Sequence, residues 1–348
     1  MTKRVTDLSL PSQALRHAAL DALDQHAPYA QWRSQFACLD EIHRIPADHE
    51  DSAPDTLHIG AWNLERGTHW QDACQLIQAL DLDVLLLSEM DLGMARSQQQ
   101  HTTRQLADAL GFHALFAVEF IELELGSEWE VAGLQDAHNE AGLHGNAILS
   151  RYPLHQPWMI RFTNTDGYWW HRDFHEPRAG GRIALGADIM TETGPLTCIS
   201  THLENNTSPA ARAVQVSEIL ARIEPMDTAI VLGGDFNTST IDPTTATDPF
   251  RLRTELIDQD PNRFLAPFPH EPLFDLLAAH GFSRGTANTA EVTQRMRERG
   301  YPKPPLGRID WIFNRACMAF DAQCHPALNA AHQTLSDHEL ITCRIRVD

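Results

Sequence analysis

The sequence predicts an α/β protein, and three observations point to this class. The chain has 348 residues, 43% of them hydrophobic, so it can bury a sizeable core. From residue 57 onward, short apolar runs rich in Val, Ile and Leu alternate with stretches of helical periodicity. The sequence contains no internal repeat and no low-complexity tract. A folded domain with both strands and helices is therefore expected.

The predicted strands share the short, β-branched apolar composition that favours a pleated sheet. They cover residues 57–63, 83–89, 113–120, 146–150, 182–189, 196–202, 229–236, 308–313 and 338–347. Helices are predicted over residues 68–80, 102–110 and 209–223. Gly111 is well suited to end the second helix, and Ser208 followed by Pro209 is a favourable start for the third. Two long stretches, residues 163–181 and 242–271, are predicted to be irregular, and such loops are often functional.

The N-terminal residues differ from the rest of the chain. Leu15, Ala19 and Leu23 recur at helical spacing, and residues 46–55 form an acidic connector that contains two prolines. We therefore predict a helical extension and connector over residues 1–55 and a main domain over residues 56–348. The extension carries no catalytic signature.

Charge and cysteine content limit the function classes. The 27 basic and 47 acidic residues give a formal charge of −20, which repels polyanions and makes duplex DNA an unlikely partner. The six cysteines are scattered, as expected for free thiols in a reducing compartment. No apolar run is long enough to cross a bilayer, and no leader is visible, so a cytoplasmic protein without a transmembrane segment is predicted. The sequence leaves the oligomeric state open.

Several predicted strands end in polar residues that a strand does not need. These residues are Asn63, Glu65, Glu89, His202, Asp235, Asn237, Asp310, Asp337 and His338. If the strand ends meet at one edge, they form a pocket of carboxylates, amides and imidazoles. Oxygen ligands of this kind suit Mg²⁺ or Mn²⁺ better than zinc. A cation held there could stabilise charge on a phosphoryl group.

The order of these motifs resembles the endonuclease/exonuclease/phosphatase superfamily. The resemblance rests on Trp-Asn at 62–63, Ser-Glu at 88–89, Gly-Asn-Ala-Ile-Leu-Ser-Arg at 145–151, Thr-His-Leu at 201–203, Gly-Gly-Asp-Phe-Asn at 233–237, Arg-Ile-Asp at 308–310 and Ser-Asp-His at 336–338. It implies a four-layer α/β/β/α sandwich, with two mainly antiparallel sheets packed face to face and helices outside. It also implies that residues 56–348 are a metal-dependent phosphoesterase domain.

The resemblance implies a role for each matched residue. Glu89 matches the principal metal ligand and Asn63 the amide beside the metal and phosphate, while Asp337 matches a further carboxylate near the metal. Glu65 is a possible additional ligand, because some members have Asp there and others have no acid. Asp235 matches the carboxylate that positions the attacking water, Asn237 steadies it, and His202 matches a phosphate contact. Asp310 and His338 match a carboxylate–imidazole pair. Asp235 and His338 both remain open as the general base.

The substrate-binding residues are predicted more loosely. Arg178 and Arg182 are the best candidates for a phosphate clamp, because arginine binds phosphate in a bidentate way. Trp169 and Trp170 lie in the stretch 163–181, which also carries His171, Arg172 and His175. Since three adjacent large aromatics at 168–170 cannot all face one core, we predict that this loop overhangs the catalytic edge and selects the substrate.

Three functions compete at this stage. The first is hydrolysis of a small or lipid-like phosphodiester or phosphomonoester, and the second is a nuclease for single-stranded or damaged nucleic acid. A basic groove beside the site would favour the nuclease, whereas a closed or apolar pocket would favour a small substrate. The third is a binding protein on a catalytically dead fold. A catalytically dead fold is expected to have lost one or more motif residues. All the main motif residues are present, which disfavours this third function.

Overall fold

The computed structural model describes residues 2–127, 130, 132, 134, 137–172, 176–297 and 305–348. His175, one of the polar residues of the predicted substrate loop, lies outside the described residues. In the described part of the chain, no helix is both long and apolar enough to cross a bilayer. All six cysteines are free thiols, and four of them are buried.

Two sheets form the centre of the fold, and their strands are numbered here in chain order. The strands are β1 Lys3–Val5, β2 Glu41–Ile45, β3 Thr56–Arg66, β4 Val84–Leu92, β5 His113–Glu122, β6 Leu143–Ser150, β7 His155–Arg161, β8 Arg178–Gly180, β9 Ile183–Met190, β10 Pro195–His202, β11 Ala229–Asp235, β12 Asp310–Arg315, β13 Met318–His325 and β14 Leu340–Arg346. The larger sheet has the order β1-β2-β5-β6-β4-β3-β14-β13, with β8 on β5, and the smaller has the order β12-β11-β10-β9-β7. Only the pairs β1–β2, β3–β4 and β10–β11 are parallel.

Six α-helices lie in the described part of the chain. They are α1 Gln13–Asp24, α2 Trp70–Ala79, α3 Thr102–Leu110, α4 Pro209–Ile223, α5 Pro249–Gln259 and α6 Leu273–Ala279. The side chain of Ser208 caps α4, and Gly111 ends α3 in the left-handed conformation, as the sequence predicts.

Three apolar layers hold the four structural layers together. In β3, Leu57, Ile59 and Ala61 face the second sheet, whereas Trp62 and Leu64 face the helices α2 and α3. This alternation follows from the two-residue repeat of a strand. The other face of the smaller sheet packs on α4 and α6. The predicted four-layer sandwich with mainly antiparallel sheets is therefore confirmed.

The nine predicted strands are all present, but the sequence prediction omits β1, β2, β7, β8 and β13. It is also wrong for part of the second irregular stretch, because residues 249–259 form α5. Asp248 caps this helix through its side chain and Pro249 takes the first turn. This start signal is the same one that identified α4.

The N-terminal residues are only partly helical. α1 and three short 3₁₀ turns are present, but β1 and β2 extend the larger sheet beyond β5. The expectation of a largely helical segment is corrected here, because Glu41–Ile45 pairs antiparallel with β5 and four of its five residues are buried. The division of the chain between residues 55 and 56 stays a prediction.

Candidate active site

The sheet topology explains why the polar strand ends meet. β3 and β4 run parallel, as do β10 and β11, so both pairs end at the same edge of the sandwich. In the smaller sheet, His202 pairs with Asp235 across β10 and β11, and Asp235 pairs with Asp310 across β11 and β12. The register therefore places an imidazole and two carboxylates side by side on three adjacent strands.

The backbone is irregular where the larger sheet reaches this edge. The register of β3 with β4 shifts between Asn63 and Arg66, and that of β4 with β6 shifts between Leu87 and Met90. Glu65, Arg66 and Glu89 have positive φ values of 43°, 69° and 57°. Bulges and left-handed residues redirect side chains, and they are common beside active sites. They turn Glu65 and Glu89 into the cleft.

Asn63 links the two sheets at the centre of the site. Its Nδ2 donates to Glu89 Oε1 at 3.1 Å and to Asp235 Oδ2 at 3.2 Å. The other oxygen of Asp235 accepts the backbone N–H of Asn237 at 2.9 Å, and the Asn237 side chain donates to the Leu203 carbonyl. Asp235 is thus held in place from both sides, while Asn237 supports it chiefly through the backbone.

Asp310 and His338 form the predicted carboxylate–imidazole pair. Both oxygens of Asp310 lie within 3.0 Å of His338 Nδ1, and His338 Nε2 faces Asp235 Oδ2 at 3.7 Å. Burial opposes protonation of His338, but the carboxylates of Asp310 and Asp235 outweigh it and raise its pKa to about 10. Burial raises the pKa of Asp235. A proton is therefore held between His338 and its two carboxylate neighbours.

His202 is a neutral imidazole in a charged surrounding. Its Nε2 lies 3.4 Å from Asp235 Oδ2, and its Nδ1 lies 2.7 Å from Arg182 Nη1. Burial, together with the positive charge of Arg182, places the pKa of His202 well below its usual value. Arg182 in turn lies between Glu119 and Glu204, each at 3.3 Å. Arg182 therefore reaches the site through His202.

Arg178 also lines the cleft but is fully engaged by acids. Its guanidinium pairs with Glu122 at 2.9 Å and Glu176 at 2.6 Å, and it lies over the ring of Trp169. The structure brings both predicted clamp arginines to the cleft. Two carboxylates already pair with each guanidinium and neutralise its charge. Neither arginine is therefore an exposed, unpaired phosphate-binding residue.

The two predicted tryptophans point in different directions. Trp169 lines the cleft, and its indole N–H donates to Glu204 Oε2 at 2.9 Å. Trp170 packs on Tyr29 and Trp32 of the N-terminal segment, and its indole N–H donates to the Ala27 carbonyl. The predicted role of Trp170 in substrate binding is therefore corrected. Trp170 anchors the loop to the N-terminal segment and is not among the residues that line the cleft.

The residues predicted to hold a metal fit a hard divalent cation by their chemistry. Glu89, Glu65 and Asp337 all line the cleft and offer carboxylate oxygens. Glu65 accepts the backbone N–H of Asp337 at 3.0 Å, which joins these two residues. Ligand atoms of Asp235, Asp310 and His338 also lie within 4.8 Å of one another.

Two arginines already contact these acids. Arg66 forms ion pairs with Glu89 and Glu130, and Arg297 forms one with Glu65. Each guanidinium neutralises a carboxylate that would otherwise repel its neighbours. A cation bound at Glu89 or Glu65 would compete with these arginines for the same oxygens.

The site opens into a cleft of about 470 Å³. Trp169 and Arg178 line it, and so do Phe250 and Arg253 of α5. The stretch 242–271, which is predicted to be irregular, thus contributes directly to the site.

Sequence reasoning missed several cleft residues. These are Arg66, Glu119, His144, Glu204 and Arg253, which line the cleft or pair with residues that do. Glu119 carried a usable signal, because a charge inside the apolar run of β5 needs a buried partner. Glu204 follows the Thr-His-Leu motif directly and could have been included with it.

Comparison with known proteins supports the resemblance seen in the motifs. The sequence model described as the Endonuclease/Exonuclease/phosphatase family matches residues 60–338. No curated protein matches the sequence.

Solved structures share the fold at low sequence identity. An endonuclease/exonuclease/phosphatase from Beutenbergia cavernae DSM 12333 has 19% identity and a TM-score of 0.54, over 84% of this chain and 72% of that chain. The human Nocturnin catalytic domain with bound sulfate has 16% identity and a TM-score of 0.52, over 88% and 97%. A humanized TDP2 from D. rerio has 16% identity and a TM-score of 0.50, over 84% and 100%.

The family match covers most of the chain and includes every motif from Trp62 to His338. The fold and the arrangement of the strand-end residues agree with it. This chain therefore belongs to the Endonuclease/Exonuclease/phosphatase family.

Proposed function

We propose that this protein hydrolyses a phosphoester by attack of a water molecule positioned in the cleft, with a divalent cation as cofactor. One observation carries the proposal. Asn63, His202 and His338 surround the buried carboxylate of Asp235, at distances of 3.2 to 3.7 Å from its Oδ2. A carboxylate held at that spot by donors on three sides is placed to orient a nucleophile.

The titration of the central groups supports a division of roles. Because the pKa of His338 is about 10, its imidazole is protonated near neutral pH. It is therefore suited to donate a hydrogen bond, as a cation, to a phosphoryl oxygen. Asp235 is then the group that accepts a proton from the attacking water. Asp310 holds the ring of His338 through Nδ1, which leaves Nε2 directed at the cleft.

The cation would be held by Glu89, with Glu65 and Asp337 close by. Bound there, it supplies a Lewis acid that stabilises negative charge on the phosphoryl group. Asn63, which donates to both Glu89 and Asp235, fixes the two carboxylates relative to each other. Mg²⁺ and Mn²⁺ both suit these oxygen donors.

The shape of the cleft favours a small or lipid-like substrate. At about 470 Å³ it falls within the range of small-molecule sites, and Trp169, Ile241 and Phe250 give it apolar walls. The net charge of −20 also disfavours a long polyanion. A small phosphomonoester or phosphodiester is the class that these features support best.

A nuclease for single-stranded or damaged nucleic acid is the second candidate. The observation in its favour is that Arg66, Arg178, Arg182 and Arg253 all line the cleft. Arginine is also a residue on which bases can stack. Acids pair with Arg66, Arg178 and Arg182, and this neutralisation keeps the candidate in second place.

A panel of phosphoesters tests the proposal, assayed with Mg²⁺, with Mn²⁺ and with excess EDTA. The panel includes phosphomonoesters, small diesters, a lysophospholipid-type diester and a single-stranded oligonucleotide. We expect turnover of at least one small ester that chelation abolishes. Full activity in EDTA would contradict the metal requirement, and exclusive cleavage of the oligonucleotide would favour the nuclease.

The same assay tests the roles of Asp235 and His338. Asp235→Asn and His338→Ala are each expected to lower kcat by at least about 10², the lower range for loss of an acid–base group. His325→Ala is the matched control, because this half-buried histidine hydrogen-bonds Thr342 on the outer strands. Near-normal turnover in a folded Asp235 or His338 variant would mean that its role is wrongly assigned.

A further inference from the structure

A second cavity lies outside the catalytic cleft and shares no lining residue with it. Its volume is about 530 Å³, and it lies where α6 and β12 approach the turn at Phe268–His270. Two arginines, Arg284 and Arg308, line it together with Phe268, Trp311 and Ser283. On a chain with a charge of −20, two cations in one cavity need an explanation.

Aromatic rings support both guanidinium groups. The Arg284 guanidinium lies 3.8 Å from the centroid of Phe268, and that of Arg308 lies 4.1 Å from the centroid of Trp311. Arg308 also lies 5.9 Å from Phe268, so both cations share one ring. Stacking of this kind covers the face of a guanidinium and leaves its N–H edge available.

Neither arginine forms an ion pair with a carboxylate in the part of the chain that the structure describes. Arg308 donates to the backbone carbonyls of Leu265 and Thr289, which are neutral acceptors. These bonds use three of its five N–H groups. No hydrogen bond from the Arg284 side chain is found within the described residues. The cavity therefore holds two positive charges without a paired anion.

The burial of Arg308 makes this arrangement costly unless an anion binds. Arg308 is 8% exposed, and burial, together with the nearby charge of Arg284, lowers its pKa to about 10. Glu291 acts on Arg308 only at a distance and forms no ion pair with it. An oxyanion between the guanidinium edges would offset the repulsion between the two cations.

We propose that this cavity is an anion-binding site for a phosphate-type oxyanion, either free or as the phosphate group of a small metabolite. The N–H edge of Arg284 and the two remaining N–H groups of Arg308 supply charge-assisted donors, and the hydroxyl of Ser283 supplies a neutral one. The site is separate from catalysis, since its lining residues are not those of the cleft. The inference therefore does not depend on the proposed function.

The test is a calorimetric titration of the whole protein with inorganic phosphate in EDTA, at constant ionic strength. Arg284→Met keeps a long apolar side chain on Phe268 and removes the charge. Arg222→Met is the matched control, because Arg222 stacks on Trp158 at 4.7 Å and, within the described residues, no other arginine stacks on that ring. Phosphate bound in the catalytic cleft is common to all three proteins, so the difference between them reports the second cavity.

We expect wild type and Arg222→Met to bind phosphate at the cavity, and Arg284→Met to bind there at least about tenfold more weakly, the low end for losing a charge-assisted contact. Identical isotherms for wild type and a folded Arg284→Met variant would overturn the proposal. So would the absence of saturable binding to wild type up to roughly 10 mM phosphate, ten times a millimolar Kd. Glucose 6-phosphate distinguishes the sources: tighter binding than phosphate indicates a metabolite, and equal or weaker binding indicates the free anion.

Discussion

At the scale of single residues, His202 shows how a neighbour can fix the state of a cleft imidazole. Arg182 can only donate hydrogen bonds, so the 2.7 Å contact requires His202 Nδ1 to be the acceptor. A neutral ring then carries its proton on Nε2, which faces Asp235 at 3.4 Å. Arg182 is thus a positioning residue, and the acids Glu119 and Glu204 hold it in place.

This assignment predicts a spectroscopic change in Arg182→Met. Wild-type His202 is expected to show the ¹⁵N chemical shifts of a single Nε2–H tautomer, and the variant a mixture of both tautomers, because Nδ1 has lost its donor. Arg178→Met is the matched control, since Arg178 pairs with Glu122 and Glu176 and does not contact His202. Unchanged His202 shifts in Arg182→Met would contradict the assignment.

Residues also differ in how far the sequence alone could predict them. Asn63, Glu89 and Asp235 stand where apolar strands end, and a local pattern was enough to select them. The pairing of Arg182 with Glu119 was harder, because a charge inside an apolar run indicates a buried partner but not which one, and this partner lies 63 residues away. The catalytic and metal-binding roles of all these residues stay predictions that the assays above address.

At the scale of elements, the described part of the segment 163–181 contacts both the cleft and the N-terminal segment. Trp169 turns to the cleft and bonds Glu204, whereas Trp170 packs on Tyr29 and Trp32. Two adjacent side chains that point in opposite directions make a matched pair of variants. The earlier expectation that both tryptophans select substrate is replaced by one role for each.

We predict that Trp169→Ala changes the relative kcat/KM among phosphoesters, while metal dependence survives. Trp170→Ala is expected to lower the unfolding free energy by less than the roughly 3–5 kcal/mol for a fully buried large aromatic, because Trp170 is partly buried, and to leave the substrate ranking unchanged. The two variants are compared on the same panel and by thermal denaturation. An unchanged ranking in Trp169→Ala would show that the loop does not select the substrate.

The strands that were not predicted from the sequence lie mostly at the edges of the two sheets. β7 and β13 are largely exposed along one side, so their apolar alternation is weak. β1 and β8 have only three residues each. β8 and β2 are buried by contacts with β5, a partner that local sequence cannot indicate. Central strands, buried on both faces, were predicted readily.

The start of α3 carries an acid-sensitive contact. His101 is the residue directly before this helix, and its Nε2 lies 3.0 Å from His43 Nδ1. Burial, with the nearby His43 and Arg104, lowers the pKa of His101 to about 3. The unfolded chain takes up a proton near pH 6.5, whereas the folded chain does not until about pH 3, so stability falls as pH falls through this window.

His101→Phe should therefore flatten the pH dependence of the unfolding free energy. Between pH 6 and 4, the slope of the unfolding free energy against pH is expected to fall by up to about 1.4 kcal/mol per pH unit. This is the slope that the uptake of one proton on unfolding produces. Urea unfolding at a series of pH values measures this slope. His17→Phe is the control, because His17 lies on the exposed side of α1. Equal slopes in wild type and His101→Phe would rule out this source of acid lability.

At the scale of the whole molecule, charge governs what can approach the cleft. The formal charge of −20 gives a repulsive field toward polyanions, and the arginines at the site are largely matched by acids. We predict weak binding to duplex DNA in an anisotropy titration at about 0.15 M salt, where nonspecific complexes usually have Kd values of roughly 10⁻⁴ to 10⁻⁶ M. Sub-micromolar affinity would contradict this and move the nuclease to first place.

The contact between Trp62 and His338 has a consequence for folding kinetics. The indole N–H of Trp62 donates to the His338 carbonyl across 276 residues of chain, and β14 inserts between β3 and β13. Contacts of such long range form late, because the loop-closure entropy must be overcome before they add stability. The Asp310–His338 pair is completed by the same step that closes the larger sheet. A chain in which β14 has not yet joined the larger sheet therefore lacks the Asp310–His338 pair, and the cleft is complete only in the finished fold.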